Sequence, residues 1–365
     1  MIHKTSAWPL ALIYVGLIVY ASLFPFTDWR YQGIMPWAFL SSPLPKYWTG
    51  FDVAINVLGY MPLGFLLILS ALRSGRSKYA LGLAVLVAGG LSLMMESLQS
   101  YLPVRVSSNV DLFLNVVGAW LGAMLAWSLE KLGVINRWSR FRAHWFVAEA
   151  RGGLVLLGLW PIALLFPAAV PFGLGQVMER LEAALSDLFQ DTPFLDWLPV
   201  RDIELQPLIP AAEWVCVLLG VLIPCLLGFC IIRAIGHRVQ FVLVTFVFGI
   251  AATALSAALS YGPEHAWAWF DFPVKAGLMA ALVLAALLLR VPWRASAALV
   301  LLALGFYLSV LNQAPASPYF AQTLATWEQG RFIRFHGLAQ WLGWLWPYAA
   351  LVYVVMQVWS REPKN

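Results

Sequence analysis

The sequence predicts an all-α, polytopic integral membrane protein with about ten transmembrane helices. Three observations carry this. Side chains are 61% hydrophobic and only 11% charged, against about 45–50% and about 25% in ordinary soluble domains. Mean hydropathy is +0.78. The apolar residues are also gathered into runs of roughly the 20 residues that cross about 30 Å of hydrocarbon as a helix. A large soluble domain is excluded, and 365 residues leave room for ten such runs.

Bounded by charge, Pro or Gly, the runs fall near 8–24, 53–72, 79–101, 110–130, 152–170, 211–232, 239–259, 273–289, 295–311 and 338–359. Only Lys4 offers a basic n-region, so the first is read as an uncleaved span, although Val19-Tyr20-Ala21 imitates a signal-peptidase site. The second and fourth open at Asp52 and Asp111. Within them Gly59, Gly64, Gly118 and Gly122 form small-residue faces suited to close helix approach, and Pro62 should kink the second. The basic stretch 131–151 divides a four-helix domain, 1–131, from a six-helix region, 152–365. That region opens on the outer segment 171–210. There Leu174, Val177, Met178, Leu181, Leu185 and Leu188 recur opposite Glu182, Asp187 and Asp191, the pattern of an amphipathic helix in the membrane interface or packed on the bundle. The sixth span holds Cys216, Cys225 and Cys230, spaced for neither zinc nor a disulfide framework and read as apolar filler. Between the last two spans, 312–337 reads as a surface segment.

Orientation follows from Lys and Arg. With both termini cytoplasmic, fifteen of the 23 basic residues face inward, among them Arg73, Arg137, Arg140, Arg142 and Arg238, and eight face outward. The expected location is the cell inner membrane. The net charge of +5 is thereby explained by topology, and no nucleic-acid partner is implied.

The second span begins D-V-A-I-N-V-L-G at Asp52, and the fourth begins D-L-F-L-N-V-V-G at Asp111. Four residues apart on a helix, Asp52 and Asn56 share a face, as do Asp111 and Asn115. Both helices run inward, so the two pairs should lie at similar depth. The third span returns between them and ends E-S-L-Q-S, which adds Glu96 and Gln99, and the short loop after it supplies Arg105. A carboxylate at the C-terminal end of a helix sits on the unfavourable side of the macrodipole. An ionisable group inside a span costs about 2.5–3.5 kcal/mol at mid-membrane and less towards the ends, and marks a site by default. Arg105 is the expected partner of Glu96, while the two Asp residues also suit plain helix capping. The expected outer-face cluster is therefore Asp52, Asn56, Glu96, Gln99, Arg105, Asp111 and Asn115.

At these residues the chain resembles the VanZ-like family of membrane proteins. The resemblance rests on Y-A-S-L-F-P-F after the first span, D-V-A-I-N-V-L-G-Y-M-P-L-G, E-S-L-Q-S, and R-V-S-S-N-V-D-L-F-L-N-V-V-G-A-W-L-G, and covers roughly residues 10–130. It implies a compact helical membrane domain and, from the founding member, a link to low-level resistance to the glycopeptide teicoplanin. It carries over no catalytic role.

Two carboxylates, amides and an Arg at an outer membrane edge suit binding of a lipid headgroup, a lipid-linked envelope precursor or a lipoglycopeptide. No cofactor or metal is expected, because neither a Ser-His arrangement, metal-ligand spacing nor a phosphate-cradling Gly-rich loop stands beside them. His265 and His336 lie far along the chain. A membrane-embedded enzyme using the acidic residues is the first alternative. A transporter is the second, disfavoured because transporter sites tend to sit near the midplane on broken helices.

Overall fold

The computed structural model describes residues 7–24, 26–44, 49–74, 79–166, 168–190, 192–194, 205–206, 208–314 and 333–360. In hydrocarbon a backbone must satisfy its own hydrogen bonds, so each apolar run folds as a helix. In chain order they are α1 (Ala7–Leu23), α2 (Gly50–Arg73), α3 (Ala80–Gln99), α4 (Asn109–Lys131), α5 (Val134–Trp145), α6 (Arg151–Ala163), α7 (Met178–Phe189), α8 (Pro210–Ile231), α9 (Ile235–Tyr261), α10 (Phe272–Leu287), α11 (Trp293–Leu311) and α12 (Ile333–Ser360). No strand occurs among the described residues. Eight of these helices are long and apolar enough to cross a membrane, and α1 and α6 are shorter apolar helices. The protein is an all-α polytopic membrane protein with an apolar helix in each of the ten expected runs. The two remaining helices, α5 and α7, are amphipathic.

The fifth run departs most from expectation. A span over 152–170 was expected, but α6 stops at Ala163 after 13 residues, about 20 Å at 1.5 Å per residue. Pro167 and Pro171 follow in sequence, and a residue before Pro is driven out of the helical region. The chain beyond is non-helical and mostly buried, turning at Phe172, with φ +62°, and at Gly175, with φ +95°. The Tyr307 hydroxyl donates to Phe172 O at 2.7 Å and accepts from Leu174 N, while Asn312 Oδ1 accepts from Val177 N and Met178 N. These bonds hold 171–177 out of a helix. The amphipathic helix therefore begins at Met178, and Leu174, expected on its apolar face, is buried in the core instead. No residue of α7 is buried. Asp191, most of the expected segment after it, most of the segment 312–337 and the side chain of His336 lie outside the described residues.

The chain separates into two compact units, Met1–Arg140 and Phe141–Asn365. In the first, α2 and α4 run parallel and touch backbone to backbone. A Cβ on Gly64 would lie 1.9 Å from Ala119 O, one on Gly118 2.2 Å from Val57 O, and one on Gly122 1.8 Å from Met61 O. A Cβ on Gly59, expected on the same small-residue face, would meet nothing within 4 Å. Helix α3 runs antiparallel beside this pair, with Ala88, Met95, Tyr60, Leu63 and Ala119 in the core between them. Pro62 lies within α2, which continues through it.

In the second unit α8 is the central helix, buried all round, with α10 and α11 packed on it. Its three cysteines form no disulfide among the described residues and are buried. Arg238 is buried too. Its guanidinium donates to Ile232 O at 3.2 Å and, at 2.8 Å each, to Phe229 O, Leu289 O and Val291 O, closing the ends of α8 and α10.

Candidate functional site

The site lies at the end of unit 1 where α2 and α4 begin. Thr49 caps α2 in a reciprocal box: Asp52 Oδ2 accepts from Thr49 N at 2.8 Å and from Thr49 Oγ1 at 2.7 Å, and Thr49 Oγ1 accepts from Asp52 N at 3.3 Å. Two orphan donors are thereby satisfied. The fourth helix is capped by Ser108, whose Oγ accepts from Asp111 N at 3.3 Å. Here the two copies of the repeat part company. Asp52 folds back on its own cap, whereas Asp111 turns across to α2, where its Oδ1 accepts from Asn56 Nδ2 at 2.8 Å. One residue from each copy thus joins the two helices. They can reach because Gly118 and Gly122 let the backbones approach.

One turn deeper, Asn115 Nδ2 donates to Ser92 Oγ at 3.0 Å, linking α4 to α3. The Tyr60 hydroxyl of α2 faces Ser92 without closing a hydrogen bond. Tyr60 Oη and Asn115 Oδ1 are both buried with no hydrogen-bond partner among the described residues. Such an orphan costs about 1–3 kcal/mol.

Glu96 is 3% exposed. The loop after α3 folds over it: Ser108 N donates to Glu96 Oε2 at 2.9 Å, and Ser107 Oγ donates to the Glu96 carbonyl at 2.6 Å. Asp111 and Tyr60 lie within electrostatic range of it. Glu96 Oε1 makes no hydrogen bond among the described residues, so acceptor capacity remains.

Arg105 corrects the sequence reading. It forms no ion pair with Glu96. Its guanidinium donates to Ala21 O at 3.1 Å and to Phe24 O at 2.8 Å and 3.3 Å. Gln99 Nε2 likewise donates to Ser22 O at 3.1 Å. The last carbonyls of a helix have no partner within it, and a cation is favoured at that end; Arg105 and Gln99 close the end of α1. Of the seven expected residues, Asn56, Glu96, Asp111 and Asn115 come together, Asp52 caps α2, and Gln99 and Arg105 fasten α1. The sequence reading missed Tyr60 and Ser92. Tyr60 lies one turn beyond Asn56, and that spacing was the available signal. Asn109 is the first residue of α4, and its side chain donates to Ser42 O at 2.7 Å.

Residues 9–130 match the VanZ/LLP1 family model. The VanZ-like domain thus takes in α1 to α4 and every residue of the cluster. Neither curated proteins nor solved structures gave a match to the chain. The match covers about a third of the chain and ends where α4 ends, so the likeness to this family is a property of the first unit. Among the described residues no group of three or more His, Cys, Asp or Glu is placed to hold a metal ion. The VanZ-like cluster offers carboxylate and amide oxygens as acceptors and a phenol as donor. That set suits hydroxyl and amide groups, since the Arg105 donors are turned to α1.

Proposed function

We infer that the VanZ-like unit binds the polar part of a membrane-anchored envelope molecule, a lipid-linked precursor or lipid headgroup, or a lipoglycopeptide such as teicoplanin, at the outer face of the inner membrane. The orientation rests on the fifteen-to-eight basic bias, with both termini cytoplasmic. The observation that carries the binding reading is the pair of orphaned polar atoms, Tyr60 Oη and Asn115 Oδ1, beside the buried Glu96 carboxylate. Sugar hydroxyls and peptide amides both donate and accept, so one such group satisfies both orphans. The consequence for the cell is a role in envelope integrity or glycopeptide resistance.

Native mass spectrometry of protein extracted from its own membranes in mild detergent tests this. A retained adduct with the mass of a lipid-linked saccharide or phospholipid, reduced in Glu96→Gln, is expected. Equal adducts in both proteins would refute the assignment.

Transport is a second reading, favoured by one feature of unit 2. The half-length α6 and the mostly buried, non-helical stretch 170–175 form a discontinuous element of the kind that lines transporter sites. Solute flux into proteoliposomes that is abolished by Tyr307→Phe would support it.

A further inference from the structure

We propose that α5 reads the lipid surface, its aromatic face entering the headgroup region and its arginines holding anionic phospholipid headgroups. Backbone hydrogen bonds fix the helix at both ends. Behind α4, Gly133 at φ +69° turns the chain, with Gly133 N donating to Glu130 O at 3.0 Å and Leu132 N to Ser128 O at 2.9 Å. After α5, Val147 N donates to Ile231 O at 2.9 Å and Arg233 N to Trp145 O at 3.2 Å. The Trp145 indole also stacks on His237 at 4.1 Å and 9°. The C-terminal end of the helix is therefore bonded to the end of an apolar span, and spans end in the headgroup region.

Its sequence, V-I-N-R-W-S-R-F-R-A-H-W, is built for that level. At 100° per residue Val134, Trp138, Phe141 and Trp145 share one face. Arg137 and His144 flank it on one side, Arg142 flanks it on the other, and Arg140 stands farther round. No residue of α5 is buried, and Trp138 and Phe141 are 54% and 40% exposed. Aromatic rings with basic side chains on both flanks are the pattern of a helix lying in the interface, where long arginines extend to the phosphates. Charge decides the occupant. The helix has three arginines and no carboxylate, and basic side chains near an anionic surface each contribute about fivefold in affinity. A zwitterionic surface satisfies the rings alone.

The test uses the full chain in nanodiscs of phosphatidylcholine, or of phosphatidylcholine with one quarter phosphatidylglycerol. A nitroxide is placed on Val134→Cys, on the aromatic face, or on Ala143→Cys, opposite. The native cysteines are buried and give little background. With phosphatidylglycerol, the label at 134 should collide with oxygen in preference to a nickel chelate. Nickel collisions should rise at least threefold in phosphatidylcholine alone, or after Arg137→Gln, Arg140→Gln and Arg142→Gln together. The label at 143 should stay nickel-accessible throughout. Equal accessibility in the two membranes overturns the proposal. So does shielding from both probes, which would mean that protein covers the face. Nanodiscs present both surfaces, so the outcome depends neither on the orientation of the chain nor on the ligand of the VanZ-like unit.

Discussion

Gly122→Ala should separate α2 from α4 and dismantle the polar cluster from a distance. A Cβ at residue 122 would stand 1.8 Å from Met61 O, and real Cβ contacts essentially never fall below 3.0 Å, so the helices must part by at least the difference, 1.2 Å. Met61 O is backbone and cannot swing aside. Overpacking of this kind costs about 1–3 kcal/mol, which lowers a melting temperature by about 2–8 °C depending on the size of the cooperative unit. The Asn56–Asp111 bond stands at 2.8 Å. Carried that far in full, the separation stretches it to 4.0 Å, past hydrogen-bond reach. Thermal unfolding in detergent and adduct retention in native mass spectrometry are the assays. Gly59→Ala is the matched control, because a Cβ there would meet nothing within 4 Å; it should be neutral or gain up to about 1 kcal/mol of helix propensity. If Gly122→Ala melts with Gly59→Ala and keeps its adduct, the backbone contact does not hold the site together.

Removal of Arg105 should act on α1 and not on Glu96. Arg105→Met should cost about 1.5 kcal/mol or more through its bonds to the Ala21 and Phe24 carbonyls, and a double-mutant cycle with Glu96→Gln should be additive within about 0.5 kcal/mol; strong coupling in thermal unfolding would restore the ion pair. Thr49→Ala and Asp52→Ala should each cost about 1 kcal/mol of capping energy and leave ligand retention unchanged, as adduct intensity will report. In unit 2, Arg238→Met should lower stability by about 2 kcal/mol or more by abandoning four carbonyls. Arg238→Lys should not recover it, because an ammonium cannot span a planar fork of acceptors; equal melting temperatures for Lys and Arg would contradict this.

The fold was legible because lipid leaves a backbone few options. Apolar runs became helices at every expected place, and the Gly64, Gly118 and Gly122 face appeared where small residues recur. Legibility failed where the decision was tertiary. The stop at Ala163 has its signal in Pro167 and Pro171, yet the buried path of Phe172 and Leu174 depends on Tyr307 and Asn312, more than 130 residues away. In the cluster, spacing placed Asn56, Glu96, Asp111 and Asn115 at one end of one unit. It could not tell that Arg105 would find the open carbonyls of α1 before a carboxylate, since both are acceptors at similar depth. Identical motifs also gave unlike roles to Asp52 and Asp111: a hydroxyl cap stands before each, but Thr49 N donates to Asp52 whereas Ser108 N donates to Glu96, and Asp111 meets Asn56 of α2 instead.

The central claim, that the cluster at the end of the VanZ-like unit receives a ligand, meets its most direct test in Tyr60→Phe. The Tyr60 hydroxyl is buried with no hydrogen-bond partner among the described residues, so deleting it from the empty protein removes an unpaired group and should leave stability equal or higher. If that hydroxyl meets a ligand, its loss should weaken retention about 2–10-fold, the value of one hydrogen bond. Retention of the native lipid adduct and the melting temperature are measured on the same purified samples. A drop in retention at unchanged or raised stability is the expected result; lowered stability with undiminished retention would mean that Tyr60 serves the fold and that no ligand reaches it.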